Sequence, residues 1–202
     1  MTEETIGQGL PILMPKGAKI MQILNRFVED EEEKRGFMLT KTPTMAKSDL
    51  YKISGHWYHY RDKMFILGDE ESADELLALR PMTCPFQYQI YKNGLKSYRD
   101  LPCRYAETAT LFRNEASGEM HGLIRVRQFT LADGHVICTP EQIEEEFKRC
   151  LELCLFCLKA LGMENDVTYR FSKRGANKEK YIDNDEAWEQ TQALMRLILN
   201  HL

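Results

Sequence analysis

The sequence predicts an α+β fold, an antiparallel β-sheet flanked by helices, and three observations carry that expectation. Residues 104–138, RYAETATLFRNEASGEMHGLIRVRQFTLADGHVIC, read as two strands, 104–114 and 123–138, rich in Thr, Tyr, Phe, Val and Ile. A polar, glycine-bearing loop, 115–122, joins them into a hairpin. Helical patterns bracket the hairpin: an apolar stripe of Ile20, Ile23, Leu24, Phe27 and Val28 before it, and residues 139–161 and 186–202 after it.

The first elements follow from local signals. Residues 7–17 are extended and punctuated by Gly and Pro; a helix is expected over 18–34, with the acidic run 29–33 on its solvated face. Gly36 ends it, and 37–43 follow as a strand whose Pro43 suits a sheet edge. A short helix at 46–53 closes at Ser54-Gly55. His56 and His59 flank Trp57 and Tyr58, and an aromatic surface turn outweighs a metal site there. Residues 64–67 and 76–79 read as short buried strands, with an acidic loop at 69–75.

RPMTCP at 80–85 then joins a strand to a helix over 85–96, with Pro85 in the first turn, where its missing amide is harmless. Cys84 at that helix N-terminus is expected to have a lowered pKa and thiolate character. Beyond the hairpin, Thr139-Pro140-Glu141-Gln142 is a capping box, opening a helix that Gly162 ends. Residues 167–172 alternate as a strand, 172–183 form a basic loop, and Asp185 caps the final helix, whose apolar face holds Leu194, Leu197 and Ile198.

Composition narrows the function classes. A chain of 202 residues holds one domain with a sizeable core, or two small ones. The net charge of -4 excludes a global basic footprint for nucleic acid, so RNA contact must be local. No apolar run spans a bilayer, and MTEETIGQG is not a secretory signal, which points to a cytoplasmic protein. The six cysteines form no disulfide framework; Cys150, Cys154 and Cys157 are expected as buried thiols in a helix.

The hairpin also concentrates chemistry. Arg113 ends the first strand, Glu115 opens the loop, and Arg125 and Arg127 fall inside the second strand at a period of two, on one sheet face. Such a fork suits phosphate or carboxylate, and Phe129 on the same face offers a flat ring to a planar base. On these residues alone, an amphipathic hairpin with solvated arginines is an equal reading.

A family resemblance separates the two. Phe112, Arg113, Asn114 and Glu115, a loop, then RVRQFT from Arg125 to Thr130, resemble the second signature motif of class II aminoacyl-tRNA synthetases. GLKSYRDLP from Gly94 to Pro102, with Ser117-Gly118 and His121-Gly122-Leu123, is similar to the threonyl-tRNA synthetases within that class. The resemblance runs from about Gly7 to the end of the chain. It implies a class II-like antiparallel sheet with a first motif over about 18–45, a second over about 104–138, and a homodimer built through the first motif, whose proline is Pro43. It also implies ATP, threonine and tRNA(Thr) as substrates, through a threonyl-adenylate.

Roles follow by matched position. Arg113 is the catalytic residue, contacting the α-phosphate and the threonine carboxylate. Glu115 reads the adenine amino group, Arg125 takes the terminal phosphates, and Phe129 stacks on the base. Met82, Cys84, Arg113 and Asp133 bind threonine. Cys84 and His135 hold Zn²⁺, and Mg²⁺ accompanies ATP. Leu131 and Gly134 depart from the family pattern. No third motif, third zinc ligand, editing domain or anticodon-binding domain is recognised, and His201 stands outside the context of the missing ligand. The expectation is therefore an incomplete class II domain, inactive by itself. A non-catalytic binding or regulatory paralog is the alternative; a serine or proline enzyme is a second, against which the Cys84–His135 pair argues.

Overall fold

The computed structural model of the chain describes residues 1–68, 75–175 and 184–199. The expected acidic loop up to residue 74, the basic stretch from 176 to 183, and residues 200–202 with His201 lie outside the described residues. The described chain divides into two units, one of residues 1–97 with 104–135, the other of residues 98–103 with 136–202.

In the first unit, helix α1 (Pro15–Lys34) begins three residues before the expected start, because Pro15 occupies a first-turn position that needs no amide. Strand β1 (Met38–Leu39) pairs in parallel with β5 (Cys103–Phe112), in the register Met38 to Tyr105 and Leu39 to Ala106. Strand β6 (Gln128–Ile137) completes a sheet of order β1-β5-β6. Arg113 N–H donates to the Arg127 carbonyl at 2.9 Å, while a Cβ built on Gly134 would lie 3.5 Å from the Tyr105 carbonyl. Those contacts, at opposite ends of the pair, make β5 and β6 an antiparallel hairpin.

A second small sheet, of order β2-β4-β3, comes from β2 (Met45–Lys47), β3 (Ile66–Leu67) and β4 (Leu77–Leu79), both pairings antiparallel. Helices α2 (Ser48–Ile53) and α3 (His56–Tyr60) contribute to its core of Tyr51, Trp57, Met64, Ala78 and Phe86. The expected aromatic surface turn is thus a short helix, and its Trp57 is buried. Helix α4 (Cys84–Lys92) stops short of residue 96, where the chain turns through Gly94 at φ +91°.

The two faces of α1 depart from expectation. Ile20, Ile23 and Leu24 are 60%, 55% and 37% exposed, whereas Glu31 and Glu32 of the acidic run are buried. Glu31 is satisfied by Lys34 and Arg35, each at 2.6 Å. Glu32 has no hydrogen-bond partner for Oε2 among the described residues. Burial, reinforced by the charges of Glu29 and Asp133, pushes its carboxyl up to about 7.

A raised acid pKa means that the folded state holds the proton more tightly than the unfolded chain. The stabilisation is fully present below the ordinary value of 4.5 and is lost as pH rises through about 7. Glu32→Gln therefore melts with the parent at pH 4 and above it at pH 8, by roughly 2–4 °C for each kcal/mol recovered. Thermal melts across that range, with the two chains declining in parallel, would disprove this account of Glu32.

In the second unit, Gln142 Oε1 accepts from the Thr139 N–H at 3.0 Å, so the capping box is present. It is followed by a 3₁₀ turn over Pro140–Gln142, and then by α5 (Ile143–Ala160). The chain leaves α5 through Gly162 at φ +70°. Within α5, Cys154 is exposed and Cys150 and Cys157 are half-buried, so the expectation of three buried thiols fails. Residues 167–172 form no strand: their alternation finds no partner strand among the described residues. Helix α6 (Asp185–Leu199) is capped by Asn184, whose Oδ1 accepts from the Ala187 N–H at 3.0 Å; Asp185 instead pairs with Arg174 at 2.5 Å. Leu197, expected on the apolar face, is exposed. Among the described residues no helix is long and apolar enough to cross a membrane.

Candidate functional site

Strand β6 organises the candidate site, because residues two apart on a strand share a face. Phe129, Leu131, Asp133 and His135 are such a set. At one end of this row the arginine hairpin closes a cavity; at the other, a thiol from α4 meets the imidazole.

A cavity of about 310 Å³ is lined by Arg113, Glu115, Ile124, Arg125, Val126 and Phe129. All four residues expected to bind ATP therefore meet in one place. The Arg113 guanidinium lies 5.0 Å from the centre of the Phe129 ring. Glu115 is buried, and its Oε2 accepts from Lys63 Nζ at 3.0 Å and lies 3.3 Å from an Arg125 nitrogen. Lys63 also contacts Glu119. Lys63, from a 3₁₀ turn after α3, is not legible in the sequence: a lone lysine far from the hairpin gives no spacing signal.

Arg125 and Arg127 do not lie inside the strand as expected, since β6 begins only at Gln128. An isolated bridge between His121 and Arg125 closes a tight turn first. The two arginines then part in role. Arg127 Nε donates to the Glu115 carbonyl at 3.0 Å, and a second guanidinium nitrogen reaches the Gln8 carbonyl at 3.4 Å. The backbone amides of Arg127 and Gln128 both donate to the Gly9 carbonyl, at 2.8 and 3.2 Å. Gly9 has φ +75°, and an added Cβ would sit 2.9 Å from Arg127 Cγ, so this close approach requires glycine. Arg127 is thus an anchor, while Arg125 remains at the cavity.

At the other end, Cys84 opens α4 and its Sγ lies 2.7 Å from His135 Nε2. One ligand atom each of Cys84, Asp133 and His135 lies within 4.8 Å of the others, the one such group of three among the described residues. Asp133 Oδ2 accepts from Thr83 Oγ1 at 2.5 Å. Met82 is half-buried two residues before Cys84. Gly134 has a packing reason: an added Cβ would lie 3.3 Å from a Phe37 ring carbon.

The expected low thiol pKa is reversed. Burial, and then the Asp133 charge, push Cys84 up to about 11, outweighing the backbone hydrogen bond that lowers it. Burial also holds His135 below its ordinary value, so its imidazole is neutral and has a lone pair to give. A thiol, an imidazole and a carboxylate together fit Zn²⁺, and binding it would deprotonate the thiol outright.

The fold is that of a class II synthetase core, and the relationships agree. Residues 63–195 match the tRNA synthetase class II core domain (G, H, P, S and T), and the chain belongs to that family. Over 202 residues it is 70% identical to the threonine–tRNA ligase of Clostridium botulinum (strain Eklund 17B / Type B). It is 68% identical, over the same length, to the threonine–tRNA ligase of Clostridium perfringens (strain SM101 / Type A). The match covers 100% of this chain and 31% of each of those relatives. The crystal structure of the RNA binding domain of threonyl-tRNA synthetase from Cryptosporidium parvum Iowa II superposes with a TM-score of 0.83 at 32% identity, over 100% of this chain and 48% of that one.

Proposed function

We propose that the chain carries the ATP- and threonine-binding surface of a threonine–tRNA ligase. In this reading residues 18–45 and 104–138 are the first and second class motifs. The threonine carboxylate attacks the α-phosphorus of ATP, the bond to pyrophosphate breaks, and the threonyl group of the adenylate then passes to the terminal ribose of tRNA(Thr). No protein nucleophile takes part; the side chains position the reactants and neutralise phosphate charge.

Arg113 bridges the α-phosphate and the carboxylate, and Arg125 takes the terminal phosphates; Mg²⁺ would accompany ATP and neutralise part of its charge. Phe129 stacks on adenine, and Glu115 accepts from its amino group. Cys84 and His135, with Asp133 beside them, would hold Zn²⁺. The metal would supply a centre that prefers threonine, with its hydroxyl, over the nearly isosteric valine. Asp133 accepts from that hydroxyl, and Met82 lines the pocket. The exposed Ile20, Ile23 and Leu24 of α1, with exposed Met38 and Leu39 on β1, support a homodimer through the first motif.

The observation that carries the reading is the single cavity shared by Arg113, Glu115, Arg125 and Phe129. Its test is base selectivity. A buried carboxylate accepts from the 6-amino group of adenine and repels the 6-oxo group of guanine, so ATP binds at least tenfold tighter than GTP in equilibrium dialysis. Equal binding of the two nucleotides would remove Glu115 from the site and the reading with it.

A further inference from the structure

A chain of hydrogen bonds runs from the sheet backbone to His135, and the backbone sets its direction. The Ala106 carbonyl accepts from the Thr40 N–H at 2.8 Å and from Thr40 Oγ1 at 3.1 Å. A carbonyl has no proton to give, so the hydroxyl hydrogen of Thr40 is committed to it. The same hydroxyl oxygen lies 2.9 Å from Gln87 Nε2 and, toward that group, can only accept. The amide of Gln87 is thereby oriented, nitrogen to Thr40 and oxygen to the imidazole. Gln87 is fully buried, 0% exposed, so water offers no alternative partner.

Gln87 Oε1 lies 2.5 Å from His135 Nδ1. An amide oxygen only accepts, so Nδ1 carries the ring proton. Nε2 then keeps its lone pair, and it is this nitrogen that faces Cys84 Sγ at 2.7 Å. The reverse polarity would set the lone pairs of Thr40 Oγ1 against those of the Ala106 carbonyl. An apolar residue at position 87 would leave the tautomer unset.

We propose that Gln87, oriented by Thr40 and the Ala106 carbonyl, is a positioning residue that locks His135 in its Nδ1–H tautomer and reserves Nε2 as the metal ligand. The ligand half rests on the function proposed above; the tautomer half does not. Nitrogen-15 NMR of the metal-free full chain reads the tautomer directly. The expected spectrum has a protonated Nδ1 and an unprotonated Nε2 for His135.

In Gln87→Leu the preference is lost, and zinc affinity, measured by chelator competition, falls 10–100-fold, the usual effect of removing a partner of a ligating histidine. Thr40→Val, nearly isosteric, frees the amide to flip and shows the same trend should the leucine variant fold poorly. A parent His135 with its proton on Nε2 overturns the lock. A changed tautomer with unchanged zinc affinity overturns the positioning role. A parent that holds Nδ1–H but binds no zinc overturns the metal reading of the site, and the ligand role of Nε2 with it.

Discussion

Arg80→Met lowers the stability of the chain by about 3–5 kcal/mol, the range found when one partner of a buried ion pair is removed. The side chains of Arg80 and Glu107 are 2% and 0% exposed, and Nη1 meets Oε1 at 2.8 Å. The same nitrogen donates to the Thr42 carbonyl at 3.1 Å and to Thr42 Oγ1 at 2.7 Å, while Nε donates to the Thr110 carbonyl at 3.0 Å. Thr42 in turn donates to both oxygens of Glu107, from its hydroxyl at 2.8 Å and from its amide at 3.2 Å. Methionine fills the space of the stem but leaves the Glu107 carboxylate desolvated without its counter-charge. Adding Glu107→Leu to Arg80→Met restores much of the loss, because the buried charge has then gone as well. Urea denaturation checks both; a single variant within about 1 kcal/mol of the parent would show that the pair does not matter.

Arg113→Gln reduces threonine-dependent ATP–pyrophosphate exchange by about 10²–10³-fold, the effect of removing one donor from developing transition-state charge. The assay uses a ligase of the relatives' full length that carries this chain. Arg113 follows the last residue of β5, and its amide is held by the Arg127 carbonyl at 2.9 Å. The guanidinium rests against the Phe129 ring, so packing holds its charge at the cavity. Glutamine retains hydrogen-bonding capacity without charge, and the melting temperature stays within a degree or two of the parent. Exchange at the parent rate would sink the role assigned to Arg113; lost exchange with a lowered melting point would instead mean a structural one.

Most of the fold and much of the candidate site were legible in the chain. The hairpin announced itself by β-branched and aromatic runs around a glycine-bearing loop, and α5 by its capping box. Arg113, Glu115, Arg125 and Phe129 were found by motif, and they do converge. What escaped was what depends on partners distant in sequence. Glu31 and Glu32 look like solvent-facing acid, but burial is decided by what packs on the helix, so the periodic stripe pointed the wrong way. Arg80 and Gln87 give no local sign that they are buried, since their partners stand 27 and 48 residues away. The helix end alone implies a low pKa for Cys84, and desolvation reverses it. Residues 167–172 show the converse: alternation without a neighbouring strand does not make one.

The doubled hold on Gly9 bears on how the hairpin loop is held. Amides of Arg127 and Gln128 grip one carbonyl, and the Arg127 side chain ties back to Glu115 and Gln8. Beyond that post, the His121–Arg125 bridge closes the tip on itself, with Leu123 and Ile124 turned outward. The loop is therefore held at two places: its β6 end is pinned to the Gly9 carbonyl, and the bridge keeps residues 121–125 together as one closed turn. Arg125 belongs to that tip and stands outside β6, so its place at the cavity is set by the closed turn rather than by the strand.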